Sequence, residues 1–126
     1  MEILAVGPAA TFASMGDEAP ASVARAASGA EALAMLSTRR VDLVVIDETL
    51  QEMSGLDLAR QVAARNPLAA VALVSPLAPE DFHEATEGLG ILAQLPRQPG
   101  PAAFRDLFEK MRRVMRMTES VTGARP

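Results

Sequence analysis

Val41-Asp42-Leu43-Val44-Val45-Ile46-Asp47, continuing into Glu48-Thr49-Leu50-Gln51-Glu52-Met53-Ser54-Gly55-Leu56, is the stretch that decides the fold. Its apolar run is rich in Val and Ile and shows no period-2 alternation, the pattern of a strand buried on both faces inside a parallel sheet. Asp47 closes that strand. In open α/β sheets ligands gather outside the carboxyl ends of the strands, so an ionisable group there stands where chemistry is done. Gly55, eight residues after Asp47, then opens a helical pattern. The segment reads strand, acidic loop, helix.

Working outward, the same strand signature recurs. Ile3-Leu4-Ala5-Val6 is a buried first strand stopped by Gly7-Pro8, and Ala70-Val71-Ala72-Leu73-Val74 is another unalternating run that ends at Ser75. Ala21 to Ala26 reads as a weaker edge strand, and Gly90 to Leu95 as the last one. Helical patterns separate them. Phe12 and Met15 suggest a first helix between Ala9 and Ala19, limited to about three turns by Gly16 and Pro20. Ser28 with Glu31 forms a capping box ahead of a stripe of Ala32, Leu33 and Leu36. Leu56, Ala59, Val62 and Ala63 give a third helix that stops at Asn66-Pro67. A fourth is predicted over Pro79 to Glu87, with Pro in its first turn and acids near its positive end. The last runs from Pro101 to Met117, with Phe104, Leu107, Phe108, Met111, Val114 and Met115 on its apolar face. Lys110, Arg112, Arg113 and Arg116 crowd its final turns, where cations suit the negative end of the helix.

Strands alternating with helices demand a parallel sheet covered on both sides, because right-handed crossovers leave few other arrangements. At 126 residues the chain is one domain's worth, large enough to bury a core without staples. With no Cys, disulfide frameworks and thiolate metal sites are excluded. The net charge of -4 argues against an electrostatic nucleic-acid binder. No apolar run reaches membrane-spanning length, and MEILAVGP lacks the basic flank of a signal peptide, so the expectation is a soluble cytoplasmic protein with no membrane partner. His83, alone on a charged helix, is expected to be exposed and inert. Two domain-level segments are expected: residues 1–117 as the folded unit and 118–126 as a flexible tail.

VDLVVID, seven residues, Gly55 and Leu-Asp-Leu together resemble the third strand, phosphoacceptor Asp and following loop of receiver domains of two-component response regulators. Ala27-Ser28-Gly29-Ala30-Glu31-Ala32-Leu33 resembles the start of the second receiver helix, and Leu95-Pro96-Arg97-Gln98-Pro99-Gly100-Pro101-Ala102-Ala103-Phe104 aligns without a gap to that family's L-P-K-P-x-x-P-A-A-L segment. The resemblance covers Ile3 to Met117. It implies the flavodoxin-like (βα)5 three-layer sandwich with sheet order 2-1-3-4-5. It also implies functional positions: Asp47 as phosphoacceptor, Ser75 as the hydroxyl that contacts the phosphate, and Arg97 where the family has Lys.

The departures from that pattern are large. Receivers follow the first strand with an acidic pair that holds magnesium, and here those positions are Gly7 and Pro8. Magnesium wants hard oxygen ligands, so any ion would rest weakly on Asp47 and the backbone carbonyl of Thr49. Asp17 and Glu18 are read as surface acids and not as substitutes for the pair. Arg97 is a planar fork in place of a point charge, Gln98 replaces the family's cis-Pro, and Gln94 stands at the switch aromatic's place. The expectation is therefore a degenerate receiver, not an enzyme and with no resident cofactor, that acts as a signalling and protein-interaction module with Asp47 phosphorylation absent or inefficient. A direct Asp47–Arg97 ion pair is expected to fix its loops. Its partners would be proteins, a histidine kinase or an output protein, or a second copy bound through the last helix and its neighbours. The alternatives are a working phosphoacceptor served by a histidine kinase, and a small-molecule binder using the Gly7-Pro8 loop. That loop is a poor phosphate cradle, since Pro has no N–H to donate.

Overall fold

The structure is a computed structural model that describes residues 1–16, 18–19 and 22–123, with side chains through 117. Five strands, β1 (Ile3–Val6), β2 (Val23–Ala26), β3 (Leu43–Asp47), β4 (Ala70–Val74) and β5 (Ala93–Leu95), form one sheet in the order β2-β1-β3-β4-β5. Every pairing is parallel. The runs that lack alternation are the ones that end up central: β1 and β3 are buried at every position, because side chains leaving either face of the sheet meet covering elements.

Parity along the strands sorts the core into two halves. Ile3, Ala5, Leu43, Val45, Ala72, Val74 and Leu95 face Phe12, Met15 and the last helix, α4 (Pro101–Gly123), which contributes Phe104, Leu107, Phe108 and Met111. Leu4, Val6, Val44, Ile46, Val71 and Leu73 face α1 (Gly29–Leu36) and α2 (Gly55–Arg65). The remaining helix, α3 (Pro79–Ala85), has no fully buried residue and reaches that second cluster through Phe82.

Local chemistry sets the helix starts. Ser28 Oγ accepts the N–H of Glu31 at 3.1 Å, and the Glu31 carboxylate accepts the N–H of Ala27 at 3.1 Å, one residue ahead of the reciprocal bond that a capping box makes. Ser54 caps α2 in the same way, accepting from the Asp57 N–H at 3.0 Å.

Several elements differ from their sequence-based bounds. The expected first helix is only a 3-10 turn at Ala9–Phe12, continued by i to i+3 bonds such as Met15 N–H to the Phe12 carbonyl. Consecutive Thr11 and Phe12 both turn inward, which an ordinary α-helical stripe would not require. In α2 the buried stripe is Leu58, Ala59 and Val62; Leu56 and Ala63 are only partly covered, because the helix is rotated to bring Leu58 onto the sheet. β5 begins at Ala93 because Gly90, at φ +65°, is still turning the chain. α3 ends at Ala85, where the Thr86 hydroxyl donates to the Phe82 carbonyl at 2.8 Å. Val114 is 37% exposed and leaves the apolar stripe of α4. That helix runs on to Gly123, six residues past the expected end at Met117, since no Pro or Gly interrupts it before then. Asp17 lies outside the described residues. Glu18 pairs with Arg105 of α4 through two contacts, at 3.1 and 3.2 Å, and so ties the segment after the 3-10 turn to the last helix.

Candidate functional site

The parallel sheet brings the ends of β1, β3, β4 and β5 to one edge, and with them Gly7, Asp47, Ser75 and Arg97. Asp47 is paired in register with Val74, the residue before Ser75, and Val74 with Leu95, two residues before Arg97. The sheet therefore places the sequence-derived positions on neighbouring strand ends.

Asp47 is 7% exposed and both its carboxylate oxygens accept hydrogen bonds. Oδ2 accepts the hydroxyl of Thr11 at 2.6 Å. Oδ1 accepts the Thr49 N–H at 2.9 Å and the Thr49 hydroxyl at 2.7 Å. The Thr49 N–H contact closes a local turn of the kind Asp favours two residues ahead of a donor. Burial pushes the Asp47 carboxyl up, but the Thr11 hydroxyl, then the N–H and hydroxyl of Thr49, and last the charge of Arg97 outweigh it and hold the carboxyl below its ordinary value.

Arg97 itself is exposed and makes no direct ion pair with Asp47, contrary to the expectation from sequence. Its charge acts from a distance. The neutral hydroxyls of Thr11 and Thr49 occupy the carboxylate oxygens, and the Arg97 side chain stays exposed. Gln98 follows with φ +49°, the only non-glycine residue at positive φ among the described residues, and its peptide bonds are trans.

Gly7 has φ +137°, and a Cβ built there would lie 2.7 Å from Cβ of Asp47. Position 7 therefore excludes any side chain while Asp47 keeps its place. Its N–H is held by the Ala26 carbonyl at 3.0 Å. Pro8 starts the 3-10 turn, and its carbonyl accepts the Thr11 N–H at 3.1 Å, which aims Thr11 at Asp47.

Ser75 is 2% exposed, and its hydroxyl accepts the Leu77 N–H at 3.2 Å. In this arrangement it caps its own loop. Gln94 turns across the same loop and donates from Nε2 to the carbonyls of Ser75, at 3.2 Å, and Leu77, at 2.7 Å. His83 is exposed on α3, as expected.

Thr11 is the residue that sequence reasoning missed. A search for charged replacements of the acidic pair passes over a neutral hydroxyl, although a Thr three residues beyond Pro8 was a visible signal.

The sheet order, the Asp at the end of the central strand and the residues gathered beside it define the receiver class of flavodoxin-like domains. Residues 9–109 match the response regulator receiver domain, and the chain belongs to that family. No curated protein sequence matches. Among solved structures, a CheY-like response regulator receiver domain protein from Methanospirillum hungatei JF-1 is similar at 23% identity, with 94% of this chain and 96% of that chain covered and a TM-score of 0.75. The chemotaxis response regulator CheY4 of Vibrio cholerae is similar at 19% identity, over 87% of this chain and 97% of that one, with a TM-score of 0.75. NtrX from Brucella abortus is similar at 18% identity and a TM-score of 0.83, with 98% of this chain matched to 29% of that longer chain. At these identities the likeness is one of fold.

The residues at this edge do not fit the magnesium ion of the family. Gly7 and Pro8 bring no carboxylate, space for a side chain at position 7 is taken by Asp47, and both Asp47 oxygens already accept hydrogen bonds from the chain. Among the described residues no group of three His, Cys, Asp or Glu side chains is placed to hold a metal. No described helix is long and apolar enough to cross a membrane.

Proposed function

We propose that this chain is a receiver-family signalling module whose loops are held in one state without phosphorylation, and that it works by presenting a protein-binding surface. The observation that carries this reading is the engagement of Asp47. Its two oxygens accept three hydrogen bonds from Thr11 and Thr49. Attack on a phosphoryl donor needs a free carboxylate oxygen and a cation to offset the negative charge that gathers there. Here both oxygens already accept hydrogen bonds from the chain, and Arg97, the cation whose charge reaches Asp47, is exposed.

Receiver domains are signalling modules that interact with histidine kinases and output domains. For this chain the reading favours an output protein, or a second copy, that recognises a constant surface. The cations of α4 and the exposed acids Glu80, Asp81 and Glu84 of α3 give the surface charged groups of both signs, which supports a protein partner over an uncharged ligand.

The direct experiment is incubation with acetyl phosphate and magnesium, followed by intact-mass analysis of the wild type and Asp47→Asn. The expected outcome is no phosphoryl adduct on either. An adduct on the wild type that Asp47→Asn abolishes would instead establish a working phosphoacceptor.

A further inference from the structure

The edge of the sheet opposite Asp47, where the strands begin, gathers cations. α1 and α2 both end there, because each hands the chain to the start of the next strand, and they bring Arg39 and Arg40 ahead of β3 and Arg65 ahead of β4. α4 starts at the Asp47 edge and runs back along the sheet on its apolar stripe. At about 1.5 Å a residue in a helix and about 3.3 Å in a strand, it has passed the length of β3 by roughly Arg112. Arg112, Arg113 and Arg116 therefore lie at or beyond the same edge, and all of these arginines are exposed. The acids among them are Glu2 and Asp42, and Asp42 is already engaged, accepting the Glu2 N–H at 2.8 Å and facing Arg40 at 3.7 Å. Glu84 and Glu87, by the end of α3, border the edge on the β5 side. The two most exposed large apolar side chains among the described residues belong to the same edge: Leu68, 98% exposed between α2 and β4, and Met117, 68% exposed on α4.

We infer that this edge is a docking surface for a protein segment that carries carboxylates around an apolar side chain. The inference deepens the reading of the chain as a protein-binding module and rests on it, but not on the state of Asp47. Arginine presents a planar fork of donors that meets a carboxylate with two parallel bonds, and every cation of the edge is Arg. The same fork fits phosphate, and the apolar groups decide between them. A nucleic-acid backbone gains nothing from Leu68 and Met117, whereas an acidic peptide with an apolar residue covers them and removes them from water. A lipid surface favours Trp or Phe beside the cations; the chain has no Trp, Phe12, Phe104 and Phe108 are buried, and Phe82 packs against the core. The surface uses no residue of α3 or β5 and lies across the sheet from Asp47.

Amide shifts of the full chain, titrated with a peptide of repeating Glu-Glu-Leu and with a Gln-Gln-Leu control, test this. The glutamate peptide should give saturable shifts at residues 39–42, 65–69 and 112–117 that weaken as salt rises, and the glutamine peptide none. Arg65→Glu combined with Arg116→Glu should weaken binding about tenfold, and Leu68→Ser should weaken it less, with the β3 amides unchanged in both. The absence of saturable shifts, or shifts centred on β5 or on the Asp47 edge, would overturn the surface. So would tighter binding to phosphatidylserine vesicles or duplex DNA, or concentration-dependent broadening of these amides without peptide, which assigns the edge to a lipid, a nucleic acid or a second copy. A phosphoryl adduct on Asp47 sinks the reading above and leaves these shifts as they are, so the two failures are told apart.

Discussion

The hydroxyl of Thr11 donates to Oδ2 of Asp47 at 2.6 Å across 36 positions of sequence. This bond joins the segment after β1 to the end of β3, the two places from which receivers assemble a magnesium site. Here a neutral donor stands against the carboxylate. If the bond matters as described, Thr11→Val, which keeps the shape and removes the donor, should destabilise the fold by about 1–3 kcal/mol, since it strands a buried charged acceptor. Urea denaturation of the two proteins checks this. Thr49→Val should cost less, because the backbone N–H of residue 49 still serves Oδ1.

The same contacts give a pH dependence with a definite sign. Asp47 has a folded-state value below its ordinary 3.8, so between the two values the unfolded chain binds more protons than the folded one. The stability it contributes is fully present above the unfolded value and is lost as pH falls through the folded one. Asp47→Asn should flatten that part of the acid-stability profile, and Thr11→Val should move it to higher pH. Stability measured from neutral pH down to the acid limit, on all three proteins, reads both effects.

Gly7 supports the account from the other side. Restoring an acid by Gly7→Asp should not restore a metal site, because the added Cβ meets Asp47 at 2.7 Å and the backbone sits at φ +137°. The expected result is a loss of about 2 kcal/mol or more, with Gly7→Ala showing most of it. Calorimetry of both variants tests whether the cost comes from the Cβ and not from the charge.

Much of the fold is legible because three of its strands announce themselves without ambiguity. The unalternating runs ending at Val6, Asp47 and Val74 predicted buried parallel strands, and those are the strands that the sheet buries most completely. Asp47 and Ser75 were placed at the correct edge by the same reasoning. What sequence could not show is which groups would satisfy Asp47. Charge alone points to Arg97 as the partner, whereas the folded chain satisfies the buried carboxylate with hydroxyls and leaves Arg97 exposed. Helix rotation was also hidden. Leu56 and Leu58 are both large and apolar, and only the packing against β3 and β4 selects Leu58.

Gln98 carries strain that a substitution can relieve. At φ +49°, just ahead of buried Pro99, a side chain is unfavourable and glycine is at home. Gln98→Gly should stabilise the domain by about 1 kcal/mol, seen as a raised melting temperature.

The central claim is that Asp47 is held by Thr11 and Thr49 in a single state that does not take up phosphate. The most direct test is a titration with magnesium and beryllofluoride, a phosphoryl mimic, followed by the amide shifts of Thr11, Asp47, Thr49 and Ser75. The account predicts no saturable change at millimolar ligand. Saturable shifts at these residues that disappear in Asp47→Asn would contradict it and show a switch that still operates.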